Sequence, residues 1–282
     1  MEPGILALVV ITFVAAFVNG ALGYGFSSIT VPVGLLFFSN RVLNPALVLI
    51  EVFINLYVLI INRASVPAVW KRVLPILLGL APGIALGSYL LASIHPGWLK
   101  LATYGLLLPL ILIQAGGLRY PIRAEKLVGV PFGTGLGFLY SVTTISGPPL
   151  ALLFNNQGYA KSDFRAGLAV IRVVESTLTA IVYWQLGMLT VQSVGLVETI
   201  LLGVLIGIPL GAFAMRRLDA ETFRRVCMSL DVWIVGFGLS KALLDLKLAQ
   251  GAGAYSFLLA AVLIDAALLY AFFAKNVSLR RH

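Results

Sequence analysis

The sequence predicts an all-α polytopic membrane protein of two inverted-topology repeats, each a discontinuous helical hairpin plus three transmembrane helices, with one extra C-terminal helix. Three observations carry this. Hydrophobic residues make up 60% of the 282-residue chain and charged ones 11%, with a mean hydropathy of +1.01; a soluble domain carries about a quarter charged residues. Most Lys and Arg residues fall in short stretches between apolar runs. Similar strings of residues recur in the same order in the two halves.

Taken in order, the apolar segments run at about 4–22, 26–39, 44–62, 73–93, 98–116, 127–142, 146–156, 166–185, 193–214, 224–245 and 253–274. Segments 26–39 and 146–156 are too short to cross roughly 30 Å of hydrocarbon as helices. Each follows another apolar run through a break rich in Gly, Ser and Thr, so 4–39 and 127–156 read as discontinuous hairpins. The N-terminus, Met1-Glu2-Pro3-Gly4, lacks the basic region of a signal peptide, and its apolar run is expected to be retained.

The Lys/Arg bias orients these segments. Arg63, Lys71 and Arg72 mark one cytoplasmic loop, Arg119, Arg123 and Lys126 another, Lys161 and Arg165 a third, and Arg216, Arg217, Arg224 and Arg225 a fourth. Lys275, Arg280 and Arg281 form a basic tail, while the stretches near 94–98, 186–192 and 246–252 are poor in charge and face outward. The assignments alternate if 4–39 leaves and returns to the outer side and 127–156 leaves and returns to the inner side. The N-terminus is then outside and the C-terminus cytoplasmic, in a multi-pass protein of the plasma (inner) membrane.

The repeat supports the same plan. Ile76-Leu77-Leu78-Gly79 with Gly83-Ile84-Ala85-Leu86-Gly87 reappears 124 positions later as Ile200-Leu201-Leu202-Gly203 with Gly207-Ile208-Pro209-Leu210-Gly211. A shift of 117 aligns Gly20 with Gly137, Leu22 with Leu139, Pro32 with Pro149 and Leu35-Leu36-Phe37 with Leu152-Leu153-Phe154. Three spans after each hairpin is an odd number, so the second half starts from the opposite face, as in many secondary transporters. The units are 1–118, 119–248 and, beyond the repeats, 249–282. The Gly ladders at 79/83/87 and 203/207/211 put small residues on one helix face, where membrane helices pack closely.

The chemistry gathers at the breaks. The first reads Asn19-Gly20-Ala21-Leu22-Gly23-Tyr24-Gly25-Phe26-Ser27-Ser28-Ile29-Thr30, the second Tyr140-Ser141-Val142-Thr143-Thr144-Ile145-Ser146-Gly147-Pro148-Pro149. Irregular backbone at membrane depth is tolerated where it is buried in protein or lines a polar cavity. Each break opens a short helix whose first N–H groups lack intrahelical partners and lie at a positive dipole end. Pro148 and Pro149 suit a first turn, where a missing N–H costs nothing. Two such ends meeting near the midplane form an anion site. Its candidate substrate-binding residues are Asn19, Gly20, Tyr24, Gly25, Ser27, Ser28, Ser141, Thr143, Thr144, Ser146, Gly147 and Arg172. The bland alternative is that these residues only let helices kink and cross.

Arg172 falls inside the span 166–185, where a buried Arg needs a partner or a polar cavity. It either pairs with Glu175, three residues on, or snorkels to the interface, or faces the anion pathway. Glu51 and Asn55 share one face of the third segment, and a 120-residue shift sets Asn55 opposite Glu175. Carboxylates inside membranes often relay protons, so Glu51 and Glu175 are candidates for proton coupling. Asp231 and Glu198 also lie in or near spans, and Lys241 and Asp245 read as a surface pair.

Other classes find little support. The +9 charge is not interleaved with aromatics, against nucleic-acid binding. Cys227 is alone, so neither an internal disulfide nor a Cys metal cluster is available, and His95 and His282 form no motif. No nucleotide-binding Gly-x4-Gly-Lys loop and no catalytic motif is present, so the chain does not read as an enzyme and no cofactor is expected.

The run Gly20-x2-Gly23-x-Gly25 with Pro32 downstream, and the run Ser146-Gly147-Pro148-Pro149, resemble the TauE/SafE sulfite exporter family over nearly the whole chain. The resemblance implies a secondary transporter, commonly outward, of sulfite, sulfoacetate or other sulfur-containing or organic anions. Phe26-Ser27 and Ser141-Val142-Thr143-Thr144 stand where many members carry more glycine. The expected partners are a small anion, the lipid bilayer and a coupled proton or other ion; the oligomeric state is open, a homodimer among the alternatives. A passive anion channel and a non-transporting membrane protein are the competing readings.

Overall fold

The helices stop where glycine, proline and hydroxyl residues interrupt the apolar runs. The computed structural model describes residues 3–23, 25–116, 125–156, 161–214 and 220–279. They form α1 (Pro3–Leu22), α2 (Phe26–Gly34), α3 (Asn40–Ile61), α4 (Val66–Ser93), α5 (Pro96–Ala115), α6 (Glu125–Thr143), α7 (Gly147–Asn156), α8 (Lys161–Gln185), α9 (Val191–Ala214), α10 (Ala220–Asp245) and α11 (Ser256–Leu279). No strand occurs among the described residues. Among the described residues eight helices, α1, α3, α4, α5, α8, α9, α10 and α11, are long and apolar enough to cross a membrane. The short α2 and α7 have 9 and 10 residues, a rise of roughly 15 Å; they are the half-length segments the sequence predicts.

Several basic positions differ from the expected loops; Lys126, Lys161, Arg224 and Lys275 fall within α6, α8, α10 and α11. Lys71 and Arg72 are exposed on the first two turns of α4, which begins at Val66 with Pro67 in its first turn. Arg165 likewise belongs to α8, which begins at Lys161. A long basic side chain can reach the headgroup region while its backbone stays helical, so Lys and Arg do not end a helix. Arg225 departs furthest. It is buried in α10, and its Nη2 lies 2.8 Å from Asp265 Oδ1 of α11. Arg119, Arg123, Arg216, Arg217, Arg280, Arg281 and His282 lie outside the described residues.

Two glycine seams organise the bundle. α4 runs parallel to α6: a Cβ on Gly79 or Gly83 would fall against the carbonyls of Val130 or Thr134, and one on Gly133 or Gly137 against those of Ile76 or Leu80. α1 runs parallel to α9 in the same way, with Gly20 against the Ile208 carbonyl and Gly211 against that of Phe17. Such approach lets dispersion contacts replace the hydrophobic driving force that lipid removes. α3 and α8 pack together at the centre, α5 lies against α10, and α11 packs on α10 and α5 from outside.

Helix lengths explain why the repeat interval drifts. Gly20 is followed by two more residues of α1 and Gly137 by six of α6, so α6 carries one extra turn before its break. α3 has 22 residues and α8 has 25. The 117 of Gly20 and Gly137 thus becomes 121 at the starts of α2 and α7 and of α3 and α8, and 124 at the ladders. The 117-residue matches beyond the break, Pro32 with Pro149 and Leu35-Leu36-Phe37 with Leu152-Leu153-Phe154, fall outside that register.

Candidate functional site

The first break is built by glycine backbone. α1 ends at Leu22, Gly23 and Gly25 hold φ of 83° and 107°, and α2 starts at Phe26. Only a residue without Cβ adopts the second of these readily. The second break is built differently. α6 ends at Thr143 and Thr144 holds φ 58°, which costs a residue with a Cβ about 1–3 kcal/mol. Local bonds hold it there: the Thr144 hydroxyl donates to the Thr143 carbonyl at 2.7 Å, and the Ile145 amide to the Thr143 hydroxyl at 3.1 Å. α7 then opens at Gly147 with Pro148 and Pro149 in its first turn.

The end of α6 leaves carbonyls without intrahelical partners. Side chains from the two central helices supply donors. Asn44 Nδ2 of α3 donates to the Val142 carbonyl at 2.6 Å, and the Tyr183 hydroxyl of α8 donates to the Ser141 carbonyl.

Both breaks connect to one buried charged centre. Glu51 of α3 is 0% exposed, Arg172 of α8 4% and Glu175 0%. Glu51 Oε1 accepts from Arg172 Nη2 at 2.8 Å and from the Ser27 hydroxyl, at the start of α2, at 2.7 Å. Its Oε2 accepts from the Tyr140 hydroxyl, in the last turn of α6, at 2.6 Å. Glu175 Oε2 accepts from the Ser146 hydroxyl, just before α7, at 2.5 Å. Asn55 Nδ2 donates to the Arg172 carbonyl at 3.3 Å and to the Ser176 hydroxyl at 3.4 Å. Charged hydrogen bonds of this length are about twice as strong as neutral ones, and they offset part of the cost of taking two ions out of water.

Arg172 therefore makes its ion pair across two helices with Glu51, not along its own helix with Glu175. Glu51 and Arg172 are 121 residues apart, and so are Asn55 and Ser176. The same interval separates Gly23 from Thr144 and Phe26 from Gly147. Asn55 thus meets Ser176, one residue beyond the Glu175 that a 120-residue shift selects.

Of the predicted residues, Ser27, Ser146, Arg172, Glu51 and Glu175 meet in this centre. Asn19 is buried, and neither polar atom of its side chain has a partner among the described residues. Ser28 is buried in the first turn of α2. Gly20 serves the α1–α9 seam, Gly25 precedes α2, and Gly147 starts α7. The hydroxyls of Ser141 and Thr143 donate to the carbonyls of Phe138 and Leu139 on their own helix. Tyr24 lies outside the described residues. Away from the centre, Asp231 is buried in α10 and Glu198 is exposed. Lys241 and Asp245 are both exposed, and no ion pair between them occurs among the described residues. His95 caps α5, its Nδ1 accepting from the Gly97 amide at 3.2 Å.

Sequence reasoning missed Tyr140 as a ligand of Glu51, and Asn44 and Tyr183 as supports of the second break. The available signal was chemical: a tyrosine buried in an apolar helix must find a partner for its hydroxyl, and Tyr140 opens the hydroxyl-rich break.

An all-helical bundle with eight membrane-length helices among the described residues, two helical hairpins broken by irregular backbone and a buried ion pair defines a multi-pass membrane protein with a polar centre. The Sulfite exporter TauE/SafE profile matches residues 8–239, and the chain belongs to that family. It is a membrane transporter of the TauE/SafE type. No curated protein and no solved structure matches the chain.

Proposed function

We propose that this chain is a secondary transporter that exports a small sulfur-containing or organic oxyanion, such as sulfite or a short sulfonate, across the plasma membrane by alternating access. One observation carries the reading: hydroxyls at the start of both short helices, Ser27 and Ser146, converge on one buried centre of Arg172, Glu51 and Glu175. Helix N-termini, hydroxyl donors and a guanidinium are the groups that recognise an oxyanion. The family's name supplies the substrate class.

Alternating access needs two units that rock about a fixed site. We assign them to 1–118 and 119–248, in opposite orientation, with 249–282 as an addition. The exchange of partners supports this, since the hairpin helix of each half packs along a ladder helix of the other. The N-terminus is assigned to the outside and the C-terminus to the cytoplasm.

The test is flux of labelled sulfite and short sulfonates in proteoliposomes, with counterflow from a trans load. Saturable counterflow that Arg172→Ala abolishes and Ser146→Ala weakens supports a carrier with this site. Flux without saturation or countertransport favours a passive channel. No flux of any tested anion from folded protein overturns the reading.

A further inference from the structure

The charge balance of the centre is the wrong way round for an anion site at rest. Among the described residues it contains one guanidinium, Arg172, and two carboxylates, Glu51 and Glu175. A substrate anion entering beside both ionised carboxylates would bring a third negative charge to one positive group, at a depth where charge is poorly screened. Meanwhile Glu51 already holds the donors. Its two oxygens accept from Arg172 Nη2, Ser27 and Tyr140, drawn from α8, α2 and α6. Two oxygens on one central atom sharing a single negative charge are what a carboxylate has in common with a sulfonate or hydrogen sulfite.

We propose that Glu51 is a resident stand-in for the transported anion, and that a substrate anion takes its place on Arg172 only when Glu51 accepts a proton. The inference rests on the anion-transporter reading and adds the coupling to it. In the exchange, one proton from solvent adds to a Glu51 carboxylate oxygen. The neutral carboxyl releases the guanidinium, and Arg172, Ser27 and Tyr140 turn their donors to the incoming oxyanion. One monoanion and one proton enter together, so the charge of the centre is unchanged. On release the steps reverse and the pair re-forms.

The surroundings of Glu51 single it out. From α8 it faces Arg172 and Glu175, and from α6 the phenol of Tyr140. α2 presents the Ser27 hydroxyl. The charged residues of the other elements packed on α3 point elsewhere: Glu198 of α9, Lys71 and Arg72 of α4 and Arg63 before it are exposed, and Lys100 Nζ of α5 donates to the Leu35 carbonyl. Glu175 is held through Ser146 and makes no bond to the guanidinium, while its Oε1 has no partner among the described residues. It holds the Ser146 hydroxyl but leaves the guanidinium, Ser27 and Tyr140 to Glu51. Arg172 keeps Nε without a partner among the described residues, so the guanidinium has a donor for a ligand beyond Glu51.

The experiment is calorimetric titration of the purified full chain with ethanesulfonate, whose charge is constant across neutral pH, and with sulfite, sulfate and acetate alongside. Buffers of different ionisation heat give the protons taken up per anion bound. The native chain is expected to take up about one proton per ethanesulfonate, with an apparent Kd that rises by about tenfold per pH unit on the alkaline side. Glu51→Gln is expected to bind with no proton uptake and a flat pH profile. Glu175→Gln tests the other carboxylate: uptake retained there supports Glu51, whereas uptake lost there moves the proton to Glu175 and overturns the proposal, whether or not Glu51→Gln folds. Anion binding by the native chain without proton uptake also overturns it, leaving the transporter reading intact. If none of the four anions binds or moves, the transporter reading itself falls, and this one with it.

Discussion

Arg172 and Glu51 are each ordinary residues in a costly place, and their cost is shared. Removing one partner leaves the other charged and buried, a loss of about 3–5 kcal/mol. Arg172→Met and Glu51→Gln are therefore each expected to lower the thermal midpoint in detergent. The double variant should lose less than the sum of the two, by a coupling of about 1–3 kcal/mol in a double-mutant cycle. Additive losses would mean the pair is not coupled as its 2.8 Å bond requires. The polar cast of this site was legible in the sequence, because Glu and Arg inside apolar segments and hydroxyls beside a break are conspicuous by chemistry alone. The pairing was not. A shift of 120 sets Asn55 against Glu175, while the structure places it against Ser176. One residue turns a helix by about 100°, so a single error of register exchanges the facing side chains. Glycine and leucine, which recur throughout the chain, cannot fix a register to one residue.

Among the elements, the seams carry most of the specificity. Gly83 and Gly211 lie against the backbones of α6 and α1, whereas Gly105 and Gly195 face open space. Gly83→Leu and Gly211→Leu should each cost at least about 1–3 kcal/mol by overpacking. Gly105→Leu and Gly195→Leu should behave as the native chain does when recovery of monodisperse protein after heating is measured. Equal loss in all four would refute the seams. The Gly-x3-Gly spacing announced these faces in the sequence, but not which helix each would meet. A second polar contact, between α10 and α11, was hidden for another reason. Arg225 follows a run of basic residues and reads as part of a loop, yet it is buried against Asp265 and Ser229. Asp265→Ala should destabilise the chain by about 3–5 kcal/mol in thermal unfolding. Replacing Arg225 and Asp265 together by apolar residues should restore most of that loss; no restoration would show that the pair does not hold α11.

At the scale of the whole molecule, the opposed orientation proposed for the halves can be checked from both sides of a membrane. The chain has one cysteine, Cys227, so Cys227→Ala gives a background for single-cysteine labelling in sealed cells. Ser93→Cys and Gln192→Cys should react with an impermeant reagent from outside, and Ala64→Cys only after lysis. Labelling of Ala64→Cys in intact cells would reverse or break the assigned topology. The order of elements was readable because length and hydropathy are summed over many residues. The association of α1 with α9 and of α4 with α6 was not, because it depends on contacts far apart in sequence. That arrangement has a consequence for how the chain is made. During synthesis α1 finds the backbone it fits only when α9 has been made. Until then the Gly20 face of α1 has no mate, and a nascent chain halted after α5 holds one helix of each seam and neither partner. The halves should not mature separately. Cut between α5 and α6, the two pieces are expected to be degraded when expressed singly and to accumulate when expressed together, each clasping what the other lacks.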